Sequence, residues 1–473
     1  MNYSEHLKNP IFRIIQMVSD ELKYPTYVVG GWVRDLIIKR QHKKIDIDFV
    51  CIGSGIELAH AVKLKLGKKA KFKVFKNFGT AMIKYNNEYY EFVGARKESY
   101  RSESRKPIIE DGTLEDDQKR RDFTINAMSI QLNQENYGLL IDPFNGKQDL
   151  KDQIIRTPLD PNKTYNDDPL RMMRAVRFAT QLDFKIDKKS YKAIEKNAER
   201  LSIISQERIT EELNKIILST TPSNGLKTLF NTKLLHQFFP ELVELQGVDS
   251  VGKHEHKDNF YHTIEVLDNI SKNTNDLWLR WSALLHDIAK PQTKKYEKGH
   301  GWTFHTHDFI GGKMVPKIFR KLKLPLNDKM RYVQKLVSLH LRPIVLAKDI
   351  VTDSAIRRLL FDAGDDIEDL MILCDADITS KNPIKVKKYL NNFQIVRKKL
   401  KEVEKKDRIR NFQPPIDGLE IMKLFDINAG KEIGTLKNAI KDAILDGKIK
   451  NNKEEALKYI IKKAKKLGLK PIV

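Results

Sequence analysis

The sequence has little of what an extracellular or membrane protein requires. Only two of its 473 residues are cysteine, Cys51 and Cys374, so a disulfide framework cannot hold a chain of this length together. The N-terminus MNYSEHLKNP lacks a signal-peptide pattern, and no apolar run approaches the roughly 20 residues that span a bilayer. We therefore expect a soluble, cytoplasmic protein with no membrane partner.

Acidic residues are too few to balance the basic ones. Lys and Arg total 86 against 63 Asp and Glu, which gives a formal net charge of +23. A positive field of this kind favours a polyanionic partner, although a lysine-rich composition alone gives the same total. The length of 473 residues allows about three domains with an ample buried core.

The stretch from Tyr27 to Val50 carries the clearest chemical pattern. An apolar strand runs into Gly30 and Gly31, and a short helix with Arg34 follows. Glycines between a strand and a helix let the backbone approach an anion, and the start of the helix offers free N–H groups. This arrangement predicts a turn that binds phosphate.

Two carboxylates follow on the next predicted strand. Asp46 and Asp48 lie on the same face of a strand with a period of two residues. Paired oxygen ligands suit Mg²⁺, which stabilises the attacking and leaving oxygens in phosphoryl transfer. Glu91, on the later strand YYEFVGAR, is a candidate third ligand if the strands share a sheet. The alternatives are two solvated acids on an edge strand and an ordinary surface glutamate.

Residues 1–150 alternate strand-like and helical patterns, which predicts an α/β domain. Strands are expected at 26–29, 45–52, 70–75, 80–85, 89–95 and 128–132. The segment 96–119 is polar and mixed in charge, and we expect a long loop there. It leads to RRDFTIN, in which Arg120 and Arg121 can pair with triphosphate oxygens and Asn126 can hydrogen-bond a sugar or a base.

A helical segment after residue 167 predicts a base-recognition site. Asp168, Arg171 and Arg174 recur at intervals of three residues, and we add Arg177 to this set. A carboxylate and a guanidinium together can accept from and donate to the Watson–Crick edge of C or A. The simpler alternative is a surface ion pair on a helix.

Histidines and aspartates are concentrated after residue 250. His286 and Asp287 stand together in an apolar run, and burying both without a metal would cost several kcal/mol. A plausible set of two nitrogen and two oxygen ligands consists of His262, His286, Asp287 and Asp377. His307 and His340 could hold a second ion or a phosphate. The alternative is a metal-free remnant of such a site.

Four strings in order make the sequence similar to a known family: GGWVRD, DID, RRDFTINAM and DPFNGKQDL. They resemble the class II tRNA nucleotidyltransferases and bacterial poly(A) polymerases, and the later histidines and aspartates resemble HD phosphohydrolases. The resemblance implies an α+β fold. It consists of a polymerase-beta-like α/β nucleotidyltransferase head at 1–150, an all-helical neck at 151–245, an HD domain at 246–385 and a basic, helical tRNA-binding tail at 386–473.

The resemblance also implies a chemistry, the addition of CCA to tRNA 3′ ends from CTP and ATP without a nucleic-acid template. Catalytic ligands for two Mg²⁺ ions would be Asp46, Asp48 and Glu91. The triphosphate would be cradled by Gly30, Gly31 and Arg34. The nucleotide would be oriented by Arg121, Asp122 and Asn126. Its base would pair with Asp168 and Arg171, within a motif that reads DDPLR here and has Glu in place of Asp167 in the family.

Several alternatives stay open. The same head serves CCA addition, CC-only addition, A-only addition and poly(A) synthesis. The basic segment from Arg96 to Arg105 favours competence for A, because the similar CC-only enzymes have it shortened. The HD domain would bind a divalent transition metal and hydrolyse phosphorylated or cyclic-phosphate tRNA ends. An RNA-end phosphohydrolase that uses its head for binding is the alternative of another class, and the oligomeric state is not predicted.

Overall fold

The protein is described by a computed structural model that covers residues 1–40, 46–76, 79–101, 104–248, 250–251, 254–255, 258–347, 352–407, 409–410 and 412–472. It divides into two compact units, residues 1–243 and 244–473. Ile45, where the second strand was predicted to begin, lies outside the described residues.

The first unit is built on a seven-stranded sheet. The strands of the first 150 residues are β1 Thr26–Val29, β2 Asp46–Cys51, β3 Lys71–Phe75, β4 Thr80–Tyr85, β5 Glu88–Gly94, β6 Arg96–Arg101, β7 Ser104–Asp111, β8 Ser129–Gln131 and β9 Leu140–Ile141. The sheet has the order β3-β4-β5-β2-β1-β8-β9. Its neighbours are antiparallel except β2 and β5, which run parallel. The strands predicted for this sheet match the observed ones to within one residue at each described end.

Five helices accompany these strands among the described residues: α1 Pro10–Leu22, α2 Gly31–Ile37, α3 Gly55–Leu66, α4 Leu114–Lys119 and α5 Gly146–Asp152. Helix α1 buries Ile11, Ile15 and Val18, whose spacing of four and three residues puts them on one face. Phe49 and Phe92 of the central strands are fully buried and stack with ring centroids 5.0 Å apart. The core therefore fixes the two strands that carry the predicted catalytic carboxylates.

The segment predicted as a long loop is a hairpin followed by a helix, so that prediction was wrong. Strands β6 and β7 pair antiparallel, and α4 begins after Thr113, which forms a capping box with Asp116. Pairing two strands satisfies backbone hydrogen bonds whatever their side chains are, so a polar hairpin leaves no apolar alternation to detect in the sequence.

The rest of the first unit is mainly helical. Its elements are β10 Ile154–Ile155, β11 Lys185–Ile186, α6 Pro161–Asp167, α7 Leu170–Leu182, α8 Lys188–Asn197, α9 Gln206–Ile217, α10 Pro222–Asn231, α11 Leu234–Phe238 and α12 Pro240–Val243. The parallel pair β10 and β11 is a small departure from the all-helical neck that was expected. Helix α7 packs against α9 and α10, and Gly225 makes the close approach possible.

The second unit is also mainly helical. Its helices are α13 Asn259–Ser271, α14 Leu277–Leu285, α15 Lys290–Thr293, α16 His307–Lys321, α17 Asp328–Leu339, α18 Leu341–Leu346, α19 Asp353–Ala363, α20 Ile367–Ala376, α21 Pro383–Asp407, α22 Gly418–Phe425, α23 Lys431–Leu445 and α24 Lys453–Lys465. Two short antiparallel pairs are formed by β12 Ser250–Val251 with β13 His254–Glu255 and by β14 Lys295–Glu297 with β15 Gly301–Thr303. Among the helices of the described ranges, none has the length and apolar character that a membrane span needs. The α+β fold class is confirmed.

Candidate active site and metal centre

The turn between β1 and α2 brings three parts of the site together. Gly30 has φ = 77°, a left-handed conformation that favours glycine. A Cβ at this position would lie 3.2 Å from Nη1 of Arg121 and 3.5 Å from Oδ2 of Asp48. The turn, a predicted phosphate-binding arginine and a predicted metal ligand therefore meet at one point.

The predicted catalytic carboxylates lie side by side on the parallel strands. Asp48 is directly opposite Glu91 in the β2–β5 ladder, and Asp46 lies two residues earlier on the same face. Burial raises the pKa of Asp48 to about 6; the Glu91 and Asp46 carboxylates raise it as well, whereas Arg121 opposes them. Negatively charged carboxylates at such close range repel one another, and a bound cation would relieve this repulsion. Their oxygen atoms are suitable ligands for a hard divalent ion.

Asp117 is a residue that the sequence reasoning missed. Its carboxylate is fully buried on α4, and its two oxygens hold different arginines. Nε of Arg120 donates to Oδ1 and Nε of Arg121 donates to Oδ2, both at 2.9 Å. Burial would raise the pKa of Asp117, but the two guanidinium groups lower it below its usual value. An acid three and four residues before an arginine pair was the available signal.

Arg34 does not point outward as a phosphate ligand would. Its side chain is buried, Nε and Nη2 donate to the Asp35 carboxylate at 2.8 Å, and Nη1 donates to Oδ1 of Asn126 at 2.8 Å. A Cβ on Gly31 would lie 3.5 Å from the same guanidinium. The geometry favours a role for Arg34 in holding Asn126 rather than the predicted direct contact with the triphosphate.

Asp122 and Asn126 form a buried network with the helix α7. Oδ1 of Asp122 accepts from the Asn126 amide at 3.0 Å, and Oδ2 accepts from Nε of Arg174 at 2.8 Å. Burial would raise the pKa of Asp122, but Arg174 and the Asn126 amide lower it to about 2. Arg174 is therefore held by Asp122, and this ion pair helps to fix the predicted nucleotide-orienting residues Asp122 and Asn126.

The two predicted base-pairing residues flank the start of α7. Oδ1 of Asp168 accepts from the backbone N–H of Leu170 at 3.2 Å. Nη2 of Arg171 donates to the backbone carbonyl of Arg120 at 2.6 Å. Both side chains are only partly buried, and Arg171 also lines a cleft with Lys97, Lys119, Lys163 and Asp167.

Arg177 lies elsewhere than the prediction placed it. Its Nε donates to Oε2 of Glu212 on α9 at 2.5 Å, and its guanidinium lies 3.8 Å from the centre of the Phe178 ring. Both members of this ion pair are buried. Arg177 therefore links α7 to α9. Its position on α7 faces α9 and not the predicted nucleotide-binding site.

In the second unit, the four predicted HD ligands converge. Nε2 of His262 lies 3.0 Å from Oδ1 of Asp377 and 3.4 Å from Oδ2 of Asp287. Nε2 of His286 lies 3.2 Å from the same Asp287 oxygen and 3.5 Å from Oδ1 of Asp377. The four side chains come from the helix α13 and from the C-terminal ends of α14 and α20.

The two additional histidines, His307 and His340, lie near Oδ1, the other carboxylate oxygen of Asp287. Nε2 of His307 lies 3.2 Å and Nε2 of His340 lies 3.9 Å from Oδ1 of Asp287. Within the described ranges, two groups bring three possible ligand atoms within 4.8 Å of one another: His262 with His286 and Asp287, and Asp287 with His307 and His340. Asp287 therefore lies between two adjacent candidate ion positions, and Lys290 Nζ lies 2.6 Å from its Oδ2.

The imidazoles are oriented by hydrogen bonds on their far sides. Nδ1 of His286, His307 and His340 each lies 2.6 to 2.7 Å from the carbonyl oxygen of the residue three positions earlier. Nδ1 of His262 lies 2.9 Å from Oγ1 of Thr379. Each Nε2 therefore faces the carboxylates, as in metal centres where a second partner fixes the ring.

Two buried nitrogens show that these residues fit a metal. Nε2 of His286 and Nε2 of His340 have no hydrogen-bond partner among the described residues, although carboxylate oxygens lie nearby. Burial would lower the pKa of His286, but Asp287 and Asp377 raise it to about 10. Burial and the charge of His286 lower the pKa of His340 to about 4. Imidazole nitrogens and carboxylates together suit a divalent transition metal.

Comparisons with known proteins agree with both halves of this description. Residues 26–156 match the poly A polymerase head domain, residues 183–245 match the "Probable RNA and SrmB- binding site of polymerase A", and residues 259–382 match the HD domain. The A-adding tRNA nucleotidyltransferase of Deinococcus radiodurans is 32% identical over 346 residues, which cover 71% of this chain and 76% of that protein.

Two further relatives are similar over different lengths. The CCA-adding enzyme of Pediococcus pentosaceus is 37% identical over 47% of this chain, and the chain spans only about half of that enzyme, 53%. The structure of the Bacillus stearothermophilus CCA-adding enzyme in complex with CTP matches 97% of this chain and 99% of its own, with a TM-score of 0.66 and 22% identity, which shows a shared fold. The chain belongs to the tRNA nucleotidyltransferase and poly(A) polymerase family, in the branch that carries an HD domain.

Proposed function

We propose that the chain is a template-independent RNA nucleotidyltransferase that adds CCA to tRNA 3′ ends from CTP and ATP. The observation that supports this most directly is the meeting of Gly30, Asp48 and Arg121 at one turn. A triphosphate bound there would lie against the backbone of the glycine turn. The Arg121 guanidinium would contact its oxygens, and the carboxylates would lie near the phosphate that reacts. Asp168 and Arg171 would accept and donate hydrogen bonds at the base.

The carboxylates of β2 and β5 would hold Mg²⁺ in this scheme. Two bound Mg²⁺ ions would supply a lowered pKa for the primer 3′-hydroxyl and neutralisation of the leaving pyrophosphate. Asp48 and Glu91 are held on adjacent strands of a packed sheet, so their separation is fixed before substrate arrives. Asp122 and Arg34 hold Asn126 in place, and Asp117 holds Arg121.

The nearest alternatives use the same chemistry with a different product. An A-only or a poly(A)-adding enzyme would place the same groups around ATP, and the Deinococcus radiodurans relative is named for A addition. The discriminating assay offers purified protein a tRNA that ends at its discriminator base, with CTP, ATP, UTP and GTP separately and in pairs. CCA addition predicts two C from CTP alone and a complete end from CTP with ATP. A long A tail from ATP alone would overturn the proposal.

A second function is supported by the convergence of His262, His286, Asp287 and Asp377. We propose that this site binds a divalent transition metal and hydrolyses phosphate monoesters or 2′,3′-cyclic phosphates at RNA ends. The test uses two variants, Asp48→Ala and Asp287→Ala, each assayed for nucleotide incorporation. Each is also assayed, with added Mn²⁺, Co²⁺ or Ni²⁺, for phosphate release from a 3′-monoester and for opening of a 2′,3′-cyclic phosphate to a monoester. Each variant should lose one activity and keep the other. Phosphate release that survives Asp287→Ala would refute an HD-based hydrolase.

A further inference from the structure

We propose that Asp117 is a positioning residue that fixes the predicted phosphate-binding Arg121 relative to the predicted base-pairing Arg171. The inference rests on the proposed nucleotidyltransferase function and deepens it. It assigns nucleotide selectivity partly to a buried carboxylate that contacts neither the phosphates nor the base.

The first observation is that one carboxylate holds two adjacent arginines. Asp117 is fully buried, whereas the Arg120 and Arg121 side chains are 19% and 16% exposed. Each of its oxygens accepts from a different guanidinium, at 2.9 Å from each Nε. Since Arg121 lies against Gly30 beside Asp48, the carboxylate determines where the predicted phosphate ligand lies.

The second observation is that Arg120 connects Asp117 to α7, the helix that carries Arg171. The backbone carbonyl of Arg120 accepts from Nη2 of Arg171 at 2.6 Å. Arg120 is held through its side chain by Asp117 and holds Arg171 through its backbone. A continuous set of hydrogen bonds therefore joins Arg121, Asp117, Arg120 and Arg171.

The third observation is that Asp117 itself stands on an anchored element. Its neighbour Gln118 is buried, and Nε2 of Gln118 donates to Oγ of Ser129 at 3.1 Å and to the carbonyl of Ile141 at 3.3 Å. The capping box formed by Thr113 and Asp116 fixes the start of α4. The carboxylate is therefore placed by the sheet and not by the arginines it holds.

The charge of Asp117 matters as well as its shape. An asparagine in the same place has one acceptor oxygen and an NH₂ group that cannot accept from a guanidinium. Only one of the two arginines could then be held, and the other would be displaced. The neutral, nearly isosteric substitution therefore separates positioning from packing.

The test measures steady-state incorporation of CTP, ATP and UTP by the full chain and its variants. Asp117→Asn should raise KM for CTP and ATP by roughly 10- to 100-fold, the scale of losing charged hydrogen bonds. It should also raise the ratio of UTP to CTP incorporation. Asp117→Glu, which keeps the charge, should restore KM in part.

A matched control is Asp149→Asn. Asp149 is another buried carboxylate of the first unit, and it accepts from Thr124 at 2.6 Å and from Arg156 at 3.2 Å. This variant should lower the melting temperature but leave the ratio of UTP to CTP incorporation unchanged. A purely structural role for Asp117 would give the same result for both variants.

A second variant keeps the proposal testable if Asp117→Asn does not fold. Arg120→Gln leaves Asp117 charged and Arg121 held, so KM for CTP should rise less than in Asp117→Asn, while the ratio of UTP to CTP incorporation rises. If the wild-type chain incorporates no nucleotide, the proposed function fails. If the wild type is active and the folded variants keep its KM and its selectivity, the positioning role is refuted.

Discussion

The carboxylates of the first unit have two different environments. Asp117 and Asp122 are each paired with arginine, and their pKa values lie below the usual range. Asp48 is half-buried, but it lies beside Glu91 and Asp46, and its pKa rises to about 6. The paired acids stabilise the fold at neutral pH, whereas the ionised Asp48 destabilises it until a cation arrives.

The first prediction concerns the free energy by which the ionised Asp48 carboxylate destabilises the folded state. A carboxyl group whose folded-state pKa is raised stabilises the fold most below its unfolded value of 3.8, and this contribution is lost as pH rises through about 6. Asp48→Asn should therefore raise the unfolding free energy of chelator-treated protein by about 1 to 3 kcal/mol at pH 8, with little change at pH 4. Denaturant unfolding at both pH values measures this.

The same variant should abolish nucleotide incorporation. Added Mg²⁺ should raise the melting temperature of the wild type but not that of Asp48→Asn, since binding to the folded state alone stabilises it. An equal Mg²⁺ effect on both proteins would contradict the assignment of Asp48 as a metal ligand.

The second prediction separates two arginines of α7. Nη2 of Arg171 donates to the backbone carbonyl of Arg120, whereas Arg177 is paired with the Glu212 carboxylate. Arg171→Ala should reduce discrimination between CTP and UTP by about 1 to 3 kcal/mol, the usual size of a specific base contact. Arg177→Ala should lower the melting temperature and leave that discrimination intact. Single-nucleotide incorporation kinetics would show the opposite pattern if the roles were exchanged.

At the scale of elements, the sequence predicted strands with a regular apolar pattern but not the pairing of two polar strands. Strands β1 and β4 coincide with their predicted ranges because apolar residues fill them, and their burial decides where they lie. The hairpin of β6 and β7 was missed because its hydrogen bonds are made by the backbone. The parallel β2–β5 pairing brings Asp48 opposite Glu91, a proximity that local sequence spacing does not determine.

The third prediction tests the packing of the neck helices. A Cβ on Gly225 of α10 would lie 2.5 Å from Cγ2 of Ile216 and 2.6 Å from Oγ1 of Thr180. Gly225→Ala should therefore cost about 1 to 3 kcal/mol of unfolding free energy, as overpacking usually does. The matched control is Gly434→Ala in α23, where a Cβ would meet nothing within 4 Å. It should gain about 0.5 to 1 kcal/mol because alanine favours a helix.

Thermal or denaturant unfolding of both glycine variants measures the difference. Destabilisation of the same size in both would mean that the contacts of Gly225 do not limit this interface.

For the whole molecule, the motifs predicted the candidate site residues but not the side chains with which they pair. Residue types and order pointed to Asp48, Arg121 and the HD ligands, because such chemistry needs particular atoms. Arg34 and Arg177 occupy positions that favoured ligand contact, yet each is paired inside the protein. Arg34 is paired with Asp35, the next residue of the same helix, whereas Arg177 is paired with Glu212 of another helix. The second pairing exists only once α7 and α9 have packed together.

The fourth prediction concerns the net charge of +23. If this field helps to bind tRNA, the binding constant should fall by about 10- to 1,000-fold between 50 and 200 mM salt. The logarithm of the constant should fall linearly with the logarithm of the salt concentration, with a slope of about 0.7 to 0.9 per phosphate contacted. Turnover at saturating tRNA should change far less. A flat binding curve would exclude a main role for the field.

The hydrogen bonds of the HD histidines have an evolutionary consequence. In three of the four imidazoles, Nδ1 is hydrogen-bonded to the backbone carbonyl of the residue three positions earlier. Substitutions among the surrounding packing residues therefore leave the rings directed inward as long as α14 and α17 end, and α16 begins, where they do. Relatives of this chain can diverge widely in sequence around the centre and still inherit its shape, so the ligand arrangement can outlive the selection that first produced it.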